Sequence, residues 1–100
     1  MMKRNAKVDS NQSEIVSALR RVGCYVLHLH QLKNCFDLLI CWRGQTWCVE
    51  VKDGSKPPSK RKLTEGEQAC KDELERVGVK YHIIESVDQA LRLVGAIDNK

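Results

Sequence analysis

The chain has 100 residues, which is enough for one domain with a modest hydrophobic core. Its hydrophobic content of 42% and its mild net charge of +4 fit an ordinary globular protein and argue against global disorder. No apolar run approaches the roughly 18 residues that a membrane span needs, and the polar start of the chain lacks the apolar core of a secretory signal. We therefore expect a cytoplasmic protein with no membrane partner.

The chain begins with a polar segment, residues 1–10, which we expect to form a flexible basic arm ahead of a single domain over residues 11–100. A first helix is predicted from about Asn11 to Val22, because apolar residues recur there at helical spacing. Asn11 can cap this helix, and Glu14 follows three residues later as in a capping box.

Three strands are predicted next, at residues 24–30, 36–42 and 45–51, where β-branched and aromatic residues are frequent. A polar turn separates the first strand from the second. The second and third strands are joined at Arg43-Gly44, which we interpret as a two-residue hairpin loop.

The second half of the chain opens with a loop at residues 53–62, where two adjacent prolines exclude regular structure. Thr64 and Glu67 form a T-x-x-E capping box that begins a second long helix. A fourth strand at 79–85 and a last helix at 86–94 follow. The order α-β-β-β-α-β-α predicts an α/β fold in which a mixed four-stranded sheet is flanked by helices.

The hairpin register brings two carboxylates together. If Trp42 pairs with Gln45, the same register places Asp37 opposite Glu50, with Cβ atoms about 5 Å apart. Lys52 shares the sheet face of Glu50, because side chains alternate along a strand. Opposed carboxylates destabilise a sheet unless positive charge lies between them, and a divalent cation such as Mg²⁺ or Mn²⁺ suits them better than Lys52 does.

The alternative is an exposed sheet face of mixed charge. Leu39 and Cys48 on the same face indicate partial burial instead, where unpaired carboxylates are costly. In a partly buried site without metal, one of the two carboxyl groups should have a raised pKa.

The cysteines favour packing over metal binding or disulfide bonds. Their number is odd, and no two of them have the C-x-x-C or C-x-x-x-C spacing of metal or redox sites. We expect buried structural thiols at all five positions: Cys24, Cys35, Cys41, Cys48 and Cys70. His28 and His30 share a strand face, but no third ligand type is close in sequence. A structural or DNA-proximal role is therefore favoured for both over metal ligation.

Positive charge is concentrated in the loop after the third strand, which carries Lys56, Lys60, Arg61 and Lys62. Such a cluster is either a solvated surface or a set of phosphate contacts to nucleic acid. Composition does not separate the two interpretations.

These features together resemble the PD-(D/E)xK nuclease superfamily. Asp37, twelve intervening residues and then Glu50-Val51-Lys52 match its D…E-x-K signature, and the element order resembles its common core. Within the superfamily, the chain is most similar to the VRR-NUC nucleases, especially their small stand-alone phage and bacterial forms. Those proteins carry a Glu on the first helix, matched here by Glu14. Their leucine-Thr/Ser opening of the second helix is matched by Leu63-Thr64, and the segment GVKYHIIESVDQALRLVG resembles their closing strand and helix.

Two positions depart from the family pattern. The family usually has Pro before the aspartate, where this chain has Phe36; that Pro is mainly a turn residue, so the chemistry is little affected. The family often has Gln in the first turn of the second helix, where this chain has Glu67, followed by Gln68. Glu67 is either a capping residue only or, like Gln68, an accessory residue of the site.

The resemblance implies a metal-dependent DNA endonuclease that hydrolyses phosphodiester bonds with Mg²⁺ or Mn²⁺. Asp37, Glu50 and the carbonyl of Val51 would hold the metal, and Glu14 would complete the catalytic set from the first helix. Lys52 would position or activate the attacking water. The four basic residues of the loop would contact DNA.

The same resemblance implies a homodimer that acts on branched DNA such as Holliday junctions, in a bacterial or phage-infected cell. A non-catalytic DNA-binding or repair accessory domain is one alternative, against which the complete set of Asp37, Glu50 and Lys52 argues. An RNA-directed nuclease of the same fold is another.

Overall fold

The computed structural model describes residues 11–29 and 31–98, so the predicted basic arm and His30 lie outside the described residues. The described residues form the predicted order of elements. These are α1 (Gln12–Val22), β1 (Tyr25–His28), β2 (Leu38–Trp42), β3 (Gln45–Val51), a 3-10 turn (Pro58–Lys60), α2 (Glu65–Arg76), β4 (Tyr81–Ile84) and α3 (Val87–Val94). No helix in this part of the chain is long and apolar enough to span a bilayer.

The four strands form one mixed sheet in the order β1-β2-β3-β4. The pairs β1–β2 and β2–β3 are antiparallel, whereas β3 and β4 are parallel. A parallel pair needs a long crossover connection, and α2 supplies it between β3 and β4. The predicted α/β fold with a mixed four-stranded sheet and flanking helices is therefore confirmed.

The hairpin between β2 and β3 fixes the register of the central strands. Arg43 and Gly44 have φ angles of 51° and 79°, which are the positive values that a two-residue type I′ turn requires. Trp42 consequently pairs with Gln45, and the predicted register continues as far as Leu38 opposite Val49.

The hydrophobic core lies between one face of the sheet and the helices α1 and α3. Its main members are Ile15, Val16, Leu19, Val26, Leu38, Ile40, Val49, Val51, Ile84, Ala90 and Val94. Val49 and Val51 point into this core, so the alternation of side chains turns Glu50 to the opposite face. Helix α2 packs on that opposite face, next to β4, and this places its first turn above Glu50.

Candidate active site

The candidate site lies at the end of the sheet where β2 begins and β3 ends. Asp37 immediately precedes β2, Glu50 is the next-to-last residue of β3, and Lys52 directly follows β3. Glu67 reaches the same place from the first turn of α2. We refer to Asp37, Glu50, Lys52 and Glu67 as the carboxylate–lysine cluster.

Asp37 is attached to β3 through both its main chain and its side chain. Its backbone N–H donates to the carbonyl of Val49 over 3.0 Å, and its Oδ2 accepts a hydrogen bond from the N–H of Val51 over 2.8 Å. The paired register ends at Leu38 and Val49, one position short of the Asp37–Glu50 pair that the sequence predicts. The side chain of Asp37 is thus anchored by the backbone of β3.

Glu50 is a carboxylic acid near the end of an inner strand, and it is unusual because only 3% of its surface is exposed. Its pKa is raised from 4.5 to about 8, first by burial and then by the charges of Asp37 and Glu67, and Lys52 only partly opposes this shift. One raised carboxyl pKa is what the sequence predicts, but burial contributes more to it than Asp37 does. In the metal-free protein Glu50 is therefore mostly protonated at neutral pH.

Lys52 joins two acidic side chains. Its Nζ lies 3.0 Å from Oε1 of Glu67 and 3.3 Å from Oε2 of Glu50. Burial alone would lower the pKa of Lys52, but the hydrogen bonds and charges of Glu67 and Glu50 outweigh burial and raise it. Lys52 is therefore a fixed ammonium group at this end of the sheet.

Glu67 is a capping residue of α2 and also contacts Lys52, while its accessory role at the site remains a prediction. Thr64 Oγ1 accepts from the N–H of Glu67 over 3.1 Å, and Glu67 Oε1 accepts from the N–H of Thr64 over 2.9 Å, which completes the predicted capping box. The same Oε1 accepts a hydrogen bond from Lys52. Burial raises the pKa of Glu67, but the hydrogen bonds from Thr64, Lys52 and Glu50 bring it below its usual value. Glu67 is thus the ionised partner of Lys52, and Glu50 holds the proton.

Glu14 lines a cleft beside the end of β3, next to residues that adjoin the carboxylate–lysine cluster. Its side chain is exposed on the first turn of α1. It lines a cleft of about 510 Å³ together with Asn11, Asp53 and Glu85, among other residues. A metal role for Glu14 remains a prediction, and Glu67 is a second helical carboxylate, in direct contact with Lys52.

Gln68 does not share the position of Glu67. It is exposed, and its Nε2 donates to Asp72 one turn later on α2 over 3.0 Å. Gln68 therefore stabilises α2 locally, and its accessory role at the site remains a prediction.

Two amide side chains at the start of α1 form contacts near this end of the sheet that the sequence did not predict. The predicted cap by Asn11 is wrong, because its side chain makes no cap hydrogen bond. It donates instead to the carbonyls of Lys52 and Glu85, over 3.1 and 3.0 Å, and so ties the ends of β3 and β4 to α1. Gln12 is buried at 3% exposure, with its Nε2 lying 3.4 Å from Nδ1 of His28. In the sequence, the only sign that Gln12 is buried was its position as a polar residue at the start of a strongly amphipathic helix.

The basic residues of the loop at 53–62 differ in their exposure and in whether they form ion pairs. Arg61 is half-buried, and its Nη1 forms a salt bridge with Glu85 at 3.1 Å, so it is engaged within the protein. Lys56, Lys60 and Lys62 are exposed, and none of them forms an ion pair with another described residue. Three of the four predicted phosphate-binding residues are thus accessible.

Replacing Lys56, Lys60 and Lys62 with Gln is expected to flatten the salt dependence of the DNA binding that the resemblance implies. The slope of log K against log salt should fall in magnitude by roughly 0.9 for each phosphate that is no longer neutralised by a lysine. Fluorescence anisotropy over a salt series measures this slope. Arg61→Gln is the control, since removal of its pair with Glu85 should lower stability with little effect on the slope. An unchanged slope in the triple variant would identify the lysines as a solvated surface.

The donor set of the cluster suits a hard cation. In residues 11–29 and 31–98, no three His, Cys, Asp or Glu side chains are already arranged to hold a metal ion. Asp37 and Glu50 nevertheless supply only oxygen atoms, which Mg²⁺ and Mn²⁺ prefer. Because Glu50 holds a proton in the absence of metal, a cation that binds there has to displace that proton. The N–H of Val51 is used by Asp37, and metal ligation by the Val51 carbonyl stays a prediction.

No protein-family model, no curated protein and no solved structure matches this chain. The resemblance to nucleases therefore rests on the D…E-x-K signature taken together with the order of elements, the hairpin register, Glu14, Leu63-Thr64 and the closing strand and helix.

Proposed function

We propose that this chain is a metal-dependent endonuclease that hydrolyses phosphodiester bonds in DNA. The observation that carries the proposal is the meeting of Asp37, Glu50 and Lys52 at one end of the sheet. Glu50 is buried with a raised pKa, and strongly perturbed carboxyl groups of this kind concentrate at functional sites. A sheet end that served only as a surface would not need a buried glutamate beside two further acidic side chains.

Each residue of the cluster has a distinct proposed role. Asp37 and Glu50 would hold Mg²⁺ or Mn²⁺, a cation that polarises a scissile phosphate and lowers the pKa of an attacking water. Lys52 would orient that water and offset the charge that builds up on the phosphate oxygens. Glu67 would hold the Lys52 ammonium in place through the 3.0 Å contact.

A cleavage panel tests the proposal against its alternatives. Purified protein is incubated with Mg²⁺ and with labelled duplex DNA, single-stranded DNA, a four-way DNA junction and RNA, and chelator is added to a parallel set. We expect DNA cleavage that requires the metal, and preference for the junction would support the branched-DNA assignment. Cleavage of RNA alone would replace the proposal with an RNA-directed nuclease. DNA binding without cleavage on any substrate would replace it with an accessory domain.

A homodimer in a bacterial or phage-infected cytoplasm belongs to the same proposal. A chain of this size has a small core and gains from an interface, and two sites related by a two-fold axis would match a two-fold junction. Exposed apolar side chains near β1, Tyr25 at 62% and Leu32 at 59%, are available for such an interface.

Light scattering at micromolar concentration is expected to give about twice the chain mass of 11.4 kDa. Tyr25→Lys is the matched variant for the dimer. It places a charge on an exposed apolar side chain of β1 and leaves the carboxylate–lysine cluster unchanged. A monomeric mass for the parent, both with and without DNA, would remove junction resolution from the proposal and leave the hydrolytic chemistry to be judged by the cleavage panel.

A further inference from the structure

Three cysteines lie together on the sheet face covered by α2. Cys35 and Cys70 are brought to the same place by the contact of Asn34 with Gly66, which lies one turn before Cys70 on α2, and both thiols interact electrostatically with Cys48. All three thiols are free and only partly buried. Among the five cysteines Cys24 alone is fully buried, so the expectation of five buried structural thiols is wrong.

Two contacts hold the segment that carries Cys35 in place, one with β4 and one with α2. The carbonyl of Cys35 accepts a hydrogen bond from Tyr81 Oη over 3.2 Å, which fixes the segment before β2 against β4. Gly66, one turn before Cys70 on α2, packs so closely on the side chain of Asn34 that a Cβ atom would not fit. The residue before Cys35 and the helix that carries Cys70 are thus held in direct contact.

We propose that Cys35 and Cys70 form an intramolecular disulfide when the protein meets an oxidant such as a glutathione disulfide, and that this pair is a redox modification site. The bond would tie the segment that leads into Asp37 to the helix that carries Glu67. It would therefore connect the two sides of the carboxylate–lysine cluster covalently.

The chemistry is a thiol–disulfide exchange in two steps. One protein thiolate attacks a sulfur of glutathione disulfide, the glutathione S–S bond breaks, and one glutathione thiolate leaves. The second protein thiolate then attacks the protein-bound sulfur, forms the Cys35–Cys70 bond and releases the second glutathione. The protein loses two electrons and two protons, and the glutathione disulfide gains both.

Helix α2 is the element that this bond would stabilise most. It contains no buried residue, and its contacts with the rest of the fold include polar ones such as Glu67 with Lys52. The disulfide closes a loop of roughly 35 residues, a length at which a crosslink removes much entropy from the unfolded chain. The melting temperature should therefore rise on oxidation by about 5 °C or more.

Cys48 is the internal control. It lies on the central strand β3, where it pairs with Tyr81 in the ladder, whereas the segment of Cys35 touches α2 through Asn34 and Gly66, one turn from Cys70. The geometry thus favours Cys70 over Cys48 as the partner of Cys35.

The test uses the full chain, treated with oxidised glutathione and then with an alkylating agent under denaturing conditions. Peptide mapping of the parent and of Cys48→Ser should find the Cys35–Cys70 crosslink, with a mass lower by two hydrogens, and a melting temperature that returns to its starting value after reduction. Cys35→Ser and Cys70→Ser should form no such crosslink and show no rise.

The proposal is overturned if the folded parent keeps all thiols free at an oxidant ratio that oxidises the unfolded chain, or if Cys48 is the partner found. These readouts are independent of cleavage, so they stand or fall separately from the proposed nuclease activity.

Discussion

Replacing Glu50 with Gln is expected to reduce metal-dependent DNA cleavage by about 10²-fold or more while DNA binding is retained. The amide removes a metal ligand and also the buried carboxyl group whose ionisation the site disfavours. The variant should fold at least as well as the parent without metal. It should also lose the rise in melting temperature that we expect Mg²⁺ or Mn²⁺ to produce in the parent. Cleavage rates and thermal melts over a metal titration measure both effects.

Two comparisons make this result specific to the site. Glu73→Gln is the matched control, because Glu73 is exposed on α2 and pairs only with Arg76 in its described contacts; it should cleave and bind metal like the parent. Lys52→Ala should keep a metal-induced rise in melting temperature but cleave poorly, since it removes the proposed water-positioning group and leaves Asp37 and Glu50 in place. Cleavage by Glu50→Gln at the parental rate would refute the active-site assignment.

The stability of the metal-free protein is expected to fall as pH rises from 6 to 9. Glu50 has a pKa of about 8 in the folded state and 4.5 as its ordinary value. Between these values the folded protein holds a proton that the unfolded chain has released, so raising the pH through this window disfavours folding. The decrease from this group is roughly 2–3 kcal/mol of unfolding free energy over the interval.

The Glu50→Gln variant isolates this contribution. Gln resembles the protonated acid, so the variant and the parent should have similar stability at pH 6, and the variant should be more stable at pH 9 by roughly 2–3 kcal/mol. Urea unfolding in chelator at both pH values provides the measurement. His82, whose pKa is lowered by burial and by Lys80, is present in both proteins and cancels in the comparison. Parallel pH profiles for the two proteins would mean that Glu50 is ionised in the folded state.

Addition of Mg²⁺ should reverse the pH effect in the parent. A cation favours the ionised carboxylate, so the stabilisation by metal should grow between pH 6 and 9, and each binding event should release a proton at the lower pH. Calorimetry in two buffers of different ionisation enthalpy measures that proton. In this respect the parent and Glu73→Gln should behave alike.

Features that depend on local chemistry could be predicted from the amino-acid sequence. The order of elements follows from hydrophobic periodicity, and the Thr64–Glu67 capping box from a four-residue pattern. The hairpin register follows from the two-residue loop at Arg43-Gly44, because only a few backbone conformations can close such a turn. That register was enough to predict that Asp37, Glu50 and Lys52 lie at one end of the sheet.

Contacts between elements that are distant in the chain became visible only in the folded structure. The folded structure shows Arg61 paired with Glu85, and it shows the side chain of Asn11 bonded to the ends of β3 and β4. Local patterns do not contain this information, because a polar side chain that can satisfy itself in its own turn can equally bond to a distant backbone group. Glu67 bonds both within its own turn and to a distant residue, and its contact with Lys52 exists only because the crossover helix packs above the buried Glu50.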